Sequence, residues 1–333
     1  MISRHPVEIG LARQRREVYL ESTRTMLTAA QERPQALVSL TGNGVALASL
    51  DAVLGGDPVR WFRLAARACA ALFSLARSQG KPLSFPLDGD ALVSLSGVPD
   101  ESVLHAGRWL SGWLCAAAAG EAGALALLSH TPAQLIDASS SQAAAPYVRP
   151  LSDALRQLAT GGDPSAPLMS ALRATDPASL PESNVDYALD IETPFIEVLF
   201  AVHDGEAPPF AKALELHHKF YSAPSRKDDP DGFVSRRLSA AAALAAQRGL
   251  PAGVESDYLV VAAAPETLIC CPYCLVPLPG DAPICAACLN DPRNDAPVET
   301  SPQERIARVR PCPKCATPIP DLAVICATCR SRR

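Results

Sequence analysis

Apolar positions recur through most of the chain at the three-to-four-residue spacing of helices, with one change of period. The clearest stretch is 59–78. Trp61, Leu64, Ala65, Ala68, Leu72 and Leu75 share a face there, with Arg60, Arg63, Arg67 and Arg77 away from it and Gly80 placed to close the helix. A charged helix is expected over 9–32, ending before Pro34, and 43–54 reads as a short apolar stretch stopped by Gly55-Gly56-Asp57-Pro58. Over 82–96 the period falls to two. Leu83, Phe85 and Leu87 alternate, Asp88-Gly89 follows, and Leu92, Val93 and Leu95 return, which predicts a β-hairpin whose first strand Pro86 confines to an edge. Helices resume at about 102–120, 121–129, 132–138, 147–160, 165–174, 184–203, 206–222 and 231–248. Residues 249–265 are mixed, with an extended reading for VESDYLVV.

Composition narrows the fold class. Hydrophobic residues make up 48% of the 333-residue chain, enough for a substantial core, and aromatics only 5%. An Ala- and Leu-rich core favours packed helices over sandwiches. The expectation is a mostly α body with a small hairpin over residues 1–265, followed by two small cysteine-rich units over 266–333. The N-terminus carries charges without an apolar signal core, and no stretch reaches the roughly 18 apolar residues of a membrane span, so a cytoplasmic location away from membranes is expected.

The net charge is −5 and the pI about 5.7, which excludes nucleic-acid binding by charge for the chain as a whole. The end of the chain is uneven. Residues 266–300 hold five acids against Arg293, whereas 301–333 hold Arg305, Arg308, Arg310, Lys314, Arg330, Arg332 and Arg333 against Glu304 and Asp321.

Nine of the eleven cysteines fall after residue 269. Eight of them form Cys271-x2-Cys274-x10-Cys285-x2-Cys288 and, 41 residues on, Cys312-x2-Cys315-x10-Cys326-x2-Cys329. The two units (271–288 and 312–329) match at ten of eighteen positions, an internal duplication. Zn²⁺ takes four thiolates in a tetrahedron, and a two-residue gap lets each turn offer both sulfurs to one ion. The few apolar residues here, Leu278, Ile284, Ile319 and Ile325, are too few to fold either unit alone, so two structural zinc ions are expected to hold them. Four thiolates leave no open position for catalysis, and the flanking pattern of redox CxxC sites is missing. The arrangement resembles the double zinc-ribbon family, although Leu275, Ala316, Leu289 and Arg330 stand where that family often has Gly. Cys270 is a spare thiol beside Cys271.

The helical body carries no phosphate loop, HExxH or G-x-S-x-G, and no catalytic residue is expected. His217-His218 would point about 100° apart on a helix and reads as a solvated or boundary pair rather than a chelate. Cys69 and Cys115 read as small core residues. In the helix over 184–203, Leu189, Ile191, Phe195, Val198, Leu199 and Val202 cover one side. Asp186, Asp190 and Glu197 gather within about 40° on the other. They are either a solvated face or an acidic docking surface for a basic protein partner. Pro194 is expected to kink this helix. Asp229-Pro230-Asp231-Gly232 reads as a turn, and Glu255 to Tyr258 as a cap and anchor or a polar patch.

Trp109-Leu110, LLSHTPAQL (127–135), ALRATDP (171–177), LELHHKFYS (214–222), DPDGF (229–233) and GLPAGVESDYL (249–259) together resemble the immunity protein 49 family of bacterial polymorphic toxin systems. The resemblance covers roughly 180 residues with the hairpin and is strongest from DPDGF to VESDYL. It implies a mostly helical, non-enzymatic protein that binds and blocks a cognate toxin. The ribbons lie outside it. A zinc-ribbon nucleic-acid-binding or regulatory adaptor is the alternative, resting on the basic C-terminal unit, which would contact nucleic acid or a second protein.

Overall fold

The computed structural model describes residues 1–79, 81–89, 92–137 and 145–262, together with the backbone of four three-residue strands beyond them. The body opens with three long helices, α1 (Ile9–Ala29), α2 (Ala36–Leu54) and α3 (Pro58–Arg77), each packed on the next. Asp57 caps α3 by accepting from the backbone N–H of Val59 and Arg60, and Pro58 fits the first turn, where no N–H is needed. The expected short stretch at 43–54 is in fact a 19-residue helix. Gly42 and Gly44 disguise it, because glycine lowers helix propensity. Gly44 is required by packing: a Cβ there would lie 2.8 Å from the Trp61 carbonyl oxygen of α3. Helix α2 is long and apolar enough to cross a membrane by length and composition, but 61% of its apolar window is buried between α1 and α3, as in a core helix.

The predicted hairpin forms from β1 (Leu83–Pro86) and β2 (Leu92–Leu95), antiparallel with Phe85 opposite Val93. Phe85, Leu87 and Leu95 are buried. Gly89 adopts φ 71°, the left-handed conformation an Asp-Gly turn supplies cheaply. Helix α3 ends at Arg77 with Ser78 as its cap, and Gly80, the expected stop, lies outside the described residues.

Helices α4 (Ala106–Ala118), α5 (Ala122–Ser129), α6 (Ala133–Ile136), α7 (Val148–Thr160) and α8 (Ser165–Arg173) follow. Trp109 and Trp113 of α4 are fully buried, and their indole N–H groups donate to Leu128 O and Ser129 Oγ. Cys69 and Cys115 are buried core residues, as read from the sequence, and burial pushes both thiols up to about 12. Next come α9 (Glu182–Tyr187), α10 (Thr193–Asp204), α11 (Phe210–Tyr221) and α12 (Arg236–Gln247).

Between α9 and α10 the chain makes one π-helical turn, Ala188–Glu192. Pro194 sits just after it, in the first turn of α10. Proline has no N–H to donate to the carbonyl of Asp190, so the ladder is irregular where the sequence predicts a kink.

The N-terminus is stitched to the far end of the body. Ile2 pairs with Ser256 in a parallel bridge, and its N–H donates to Glu255 O at 3.0 Å. Arg4 donates to the carbonyls of Phe233, Ala52 and Asp257. Beyond the body, β3 (Leu268–Cys270) pairs antiparallel with β4 (Pro277–Pro279), and β5 (Val309–Pro311) with β6 (Pro318–Pro320). The registers are equivalent, Leu268 opposite Pro279 and Val309 opposite Pro320.

Candidate functional site

Two polar centres lie among helices α9 to α12, the first of them where these helices meet the N-terminal segment. The first surrounds Tyr258, which is fully buried. Its hydroxyl lies 2.9 Å from the His5 backbone N, 2.9 Å from His5 Nδ1 and 2.9 Å from His218 Nδ1. The proton inventory follows from the partners. His5 Nε2 faces the Lys227 carbonyl at 3.0 Å and must donate, so neutral His5 accepts at Nδ1 from the Tyr258 O–H. The Tyr258 oxygen then accepts from the His5 amide and from His218 Nδ1–H. Burial lowers the His5 pKa, which keeps the ring neutral.

His217 was expected at a boundary but is only 3% exposed. Its Nε2–H donates to Gly232 O at 3.2 Å, and burial lowers its pKa to about 3. The face that appears polar at 217 is closed by the 229–233 turn. Gly232 is forced, because a Cβ would lie 2.3 Å from the Tyr221 ring. The Glu255–Tyr258 run proves to be an anchor, with Ser256 Oγ donating to Ile2 O at 2.8 Å.

The second centre is ionic. Glu192, at the end of the π turn and 1% exposed, accepts from Arg237 Nε at 2.8 Å and from Arg237 Nη2. Neighbouring Arg236 donates to Ser111 Oγ at 2.7 Å and pairs with Asp231 at 3.3 Å. Burial opposes the Arg237 charge, yet Glu192 more than offsets it and the pKa is raised. A third buried pair lies apart from these. Glu121, 1% exposed, bridges Arg63 and Arg67, so Arg67 is buried rather than turned to solvent as its place on α3 suggests.

The three acids singled out from the sequence lie along the seam with α11 and the segment that follows it. Glu197 pairs with Lys212 at 2.9 Å, Asp190 with Lys219 at 3.7 Å and Asp186 with Arg226 at 3.5 Å. Each acid therefore shares its surface with a cation, and the face is mixed in charge. The eight expected zinc ligands, Cys271, Cys274, Cys285, Cys288, Cys312, Cys315, Cys326 and Cys329, lie outside the described residues. Among the described residues, no group of three or more His, Cys, Asp or Glu could hold a metal ion.

Sequence reading missed Arg4, His5, Glu192, Arg236 and Arg237. The one available signal was a pair of arginines opening the Ala-rich run of α12, where a buried charge demands a partner.

The family model of immunity protein 49 matches residues 58–259. The chain belongs to the immunity protein 49 family. No curated protein and no solved structure matches the chain. The immunity protein 49 region holds the ionic centre and, apart from His5, the Tyr258 centre; it begins within α3's first turn, so α1, α2 and the Met1–His5 hook lie outside it while packing onto it. Immunity proteins of this kind are typically non-enzymatic, and membership implies a cognate toxin as partner.

Proposed function

We propose that the chain is a cytoplasmic antitoxin that neutralises its cognate toxin by direct, stoichiometric protein–protein contact. The observation that carries this is the family match over residues 58–259. The chemistry of the body supports it. The buried ions of the two arginine centres are matched by fixed partners, Arg237 by Glu192 and Arg67 by Glu121, which suits a rigid scaffold. A binding protein needs such a scaffold and a surface complementary to its partner. The seam bearing Asp186, Asp190 and Glu197 is the proposed contact for a basic surface of the toxin.

The C-terminal units each take one structural zinc ion in this reading, through Cys271, Cys274, Cys285 and Cys288, and through Cys312, Cys315, Cys326 and Cys329. All-thiolate donor sets at CxxC spacing fit zinc. The equivalent β3–β4 and β5–β6 pairings bracket the first CxxC of each unit, which supports a duplicated unit. These ribbons form a separate unit after residue 265 and make a second contact, to nucleic acid or another protein, through the basic terminal residues.

The test is co-expression with a candidate toxin from a neighbouring gene, scored for survival and for co-purification of a complex. Survival with a one-to-one complex is expected. A toxin that kills equally well in the presence of the soluble chain refutes the reading.

A further inference from the structure

The Tyr258 hydroxyl limits how many protons its neighbours can carry, a property the antitoxin reading does not use. Its oxygen has one hydrogen to give and two lone pairs to fill. Three nitrogens converge on it at 2.9 Å: the His5 backbone N, His5 Nδ1 and His218 Nδ1. The backbone N–H always donates and fills one lone pair. Of the two ring nitrogens, one must therefore take the hydroxyl hydrogen while the other donates into the remaining lone pair.

With both rings neutral the count closes, the hydroxyl giving to His5 Nδ1 and accepting from His218 Nδ1–H. One added proton is also accommodated. On His218 it goes to Nε2, away from the hydroxyl. On His5 it goes to Nδ1, which turns donor, while the hydroxyl turns to His218 Nδ1 and that ring's own proton moves to Nε2. Two added protons do not fit. Three N–H groups then face two lone pairs, and the hydroxyl hydrogen has no acceptor.

Electrostatics sets the same limit. The His5 and His218 ring centroids lie 6.4 Å apart. Burial opposes charge on His5, as do His218 and Arg4, while the Lys227 carbonyl and Asp228 favour it. Asp257 accepts from the Arg4 backbone N–H, Arg15 of α1 donates to the Asp228 carbonyl, and Lys227 is exposed. Asp51 of α2 is taken by Arg16 and Trp61. His217 of α11, its ring 4.9 Å from that of Tyr258, gives its proton to Gly232 O and feels the charge of Arg237 of α12. Asp228 and Asp257 are matched in number by Arg4 and Arg15, which leaves no net negative charge for a second imidazolium.

The strain has one outlet. His218 is built into α11 and Tyr258 is fully buried. Residues 2–5 belong to no helix and are held by hydrogen bonds from Ile2, Arg4 and His5. We propose that the His5–Tyr258–His218 cluster is an acid-operated latch, which holds the Met1–His5 hook closed while at most one of the two histidines is charged and releases it when both are. Release carries the His5 ring into water and frees the Lys227 carbonyl. The closed form lowers the His5 pKa, so it is favoured above the ordinary value of 6.5 and is lost as pH falls below it. The latch stands on this cluster alone and does not depend on the antitoxin reading.

The experiment is hydrogen–deuterium exchange of the full chain read by mass spectrometry from pH 7.5 to 4.5, with rates corrected for the intrinsic effect of pH. The amides of Ile2 and His5 donate to Glu255 O and the Tyr258 hydroxyl, so N-terminal peptides report the hook. Peptides of α3 and α4 report the rest of the fold. Two variants accompany the wild type. His218→Asn sets an uncharged amide in place of Nδ1, able to give or to take a hydrogen. His218→Ala removes the competing donor. In the wild type, hook protection should fall below pH 6.5 by about tenfold per pH unit for each proton taken up on opening, with α3 and α4 unchanged. In both variants the fall should move to lower pH by about one unit, because no second charge competes with His5. A variant that does not fold shows α3 and α4 unprotected at pH 7.5, and the other variant and the wild-type profile then carry the test. Hook protection that is flat with pH in the wild type overturns the latch. So does a loss shared by α3 and α4, which is global unfolding, and so does the same profile in wild type and variants, which removes His218 from the count.

Discussion

Changing Glu192 to Gln isolates the ionic centre with little change of shape. Glu192 is 1% and the Arg237 side chain 14% exposed, and they share a two-point fork. Removing the negative charge strands a guanidinium that solvent reaches poorly. Breaking a buried pair from one side costs about 3–5 kcal/mol, whereas an exposed pair contributes about 0–1 kcal/mol. The magnitude therefore tells the two situations apart. For a helical body of this size each kcal/mol moves the midpoint by roughly 2–4 °C, so Glu192→Gln should lower it by roughly 6–20 °C. The assay is thermal and urea unfolding followed by far-UV circular dichroism, which reports the helices. A double variant, Glu192→Leu with Arg237→Met, removes both charges and should recover most of the loss, because no ion is left stranded. A Glu192→Gln protein within about 1 kcal/mol of wild type would refute the burial argument. So would a double variant whose loss equals the sum of the singles, since neighbours in one fork must couple.

Four further outcomes are expected. The His217 pKa is lowered from 6.5 to about 3, so its contribution is fully present above 6.5 and is lost as pH falls towards 3; up to about 5 kcal/mol is at stake. His5 acts in the same direction, and a stability profile flat between pH 7 and 4 would contradict both. Reversing Asp186, Asp190 and Glu197 together to Lys should slow toxin capture at low salt more than it harms folding, and an unchanged on-rate returns this seam to an ordinary solvated face. Elemental analysis after expression with zinc supplied should give two ions per chain; one or none removes the ribbon assignment. Truncation after residue 265 should leave a soluble body that still protects cells, and an insoluble or unprotective fragment would join the ribbons to the core or to the toxin contact.

Local features were the ones legible in the sequence. Asp88-Gly89 named its turn, the spacing of Trp61 to Leu75 named α3, and the apolar surroundings of Cys69 and Cys115 named them as core. What escaped were pairings between distant segments. Arg237 meets Glu192 across 45 residues, and His5 meets Tyr258 across 253. Periodicity along one helix says which face is apolar, but it does not say whether another element covers the polar face. Arg67 and His217 were misplaced for that reason, Arg67 being closed over by Glu121, 54 residues on, and His217 by the turn at Gly232, 15 residues on. The length of α2 was hidden by Gly42 and Gly44, and at Gly44 a close helix crossing explains the glycine, packing there overriding propensity.

The burial of the shared motifs bears on where recognition can lie. Trp109, Phe233 and Tyr258, which carry much of the resemblance to immunity protein 49, are at most 1% exposed, and His217 is 3% exposed. Side chains so enclosed cannot touch a second protein while the fold is intact. They fix the arrangement of α4, α11, α12 and the N-terminal hook instead. On the proposed antitoxin reading these residues supply the scaffold, and the choice of one toxin over another would lie in exposed positions that the motifs leave open. Exposed pairs such as Lys212 with Glu197 are free to change sign or side-chain length at about 0–1 kcal/mol, whereas Glu192 and Tyr258 are not. That asymmetry lets one helical body be retuned to new partners without refolding, and it places the search for the toxin contact on the surface seams.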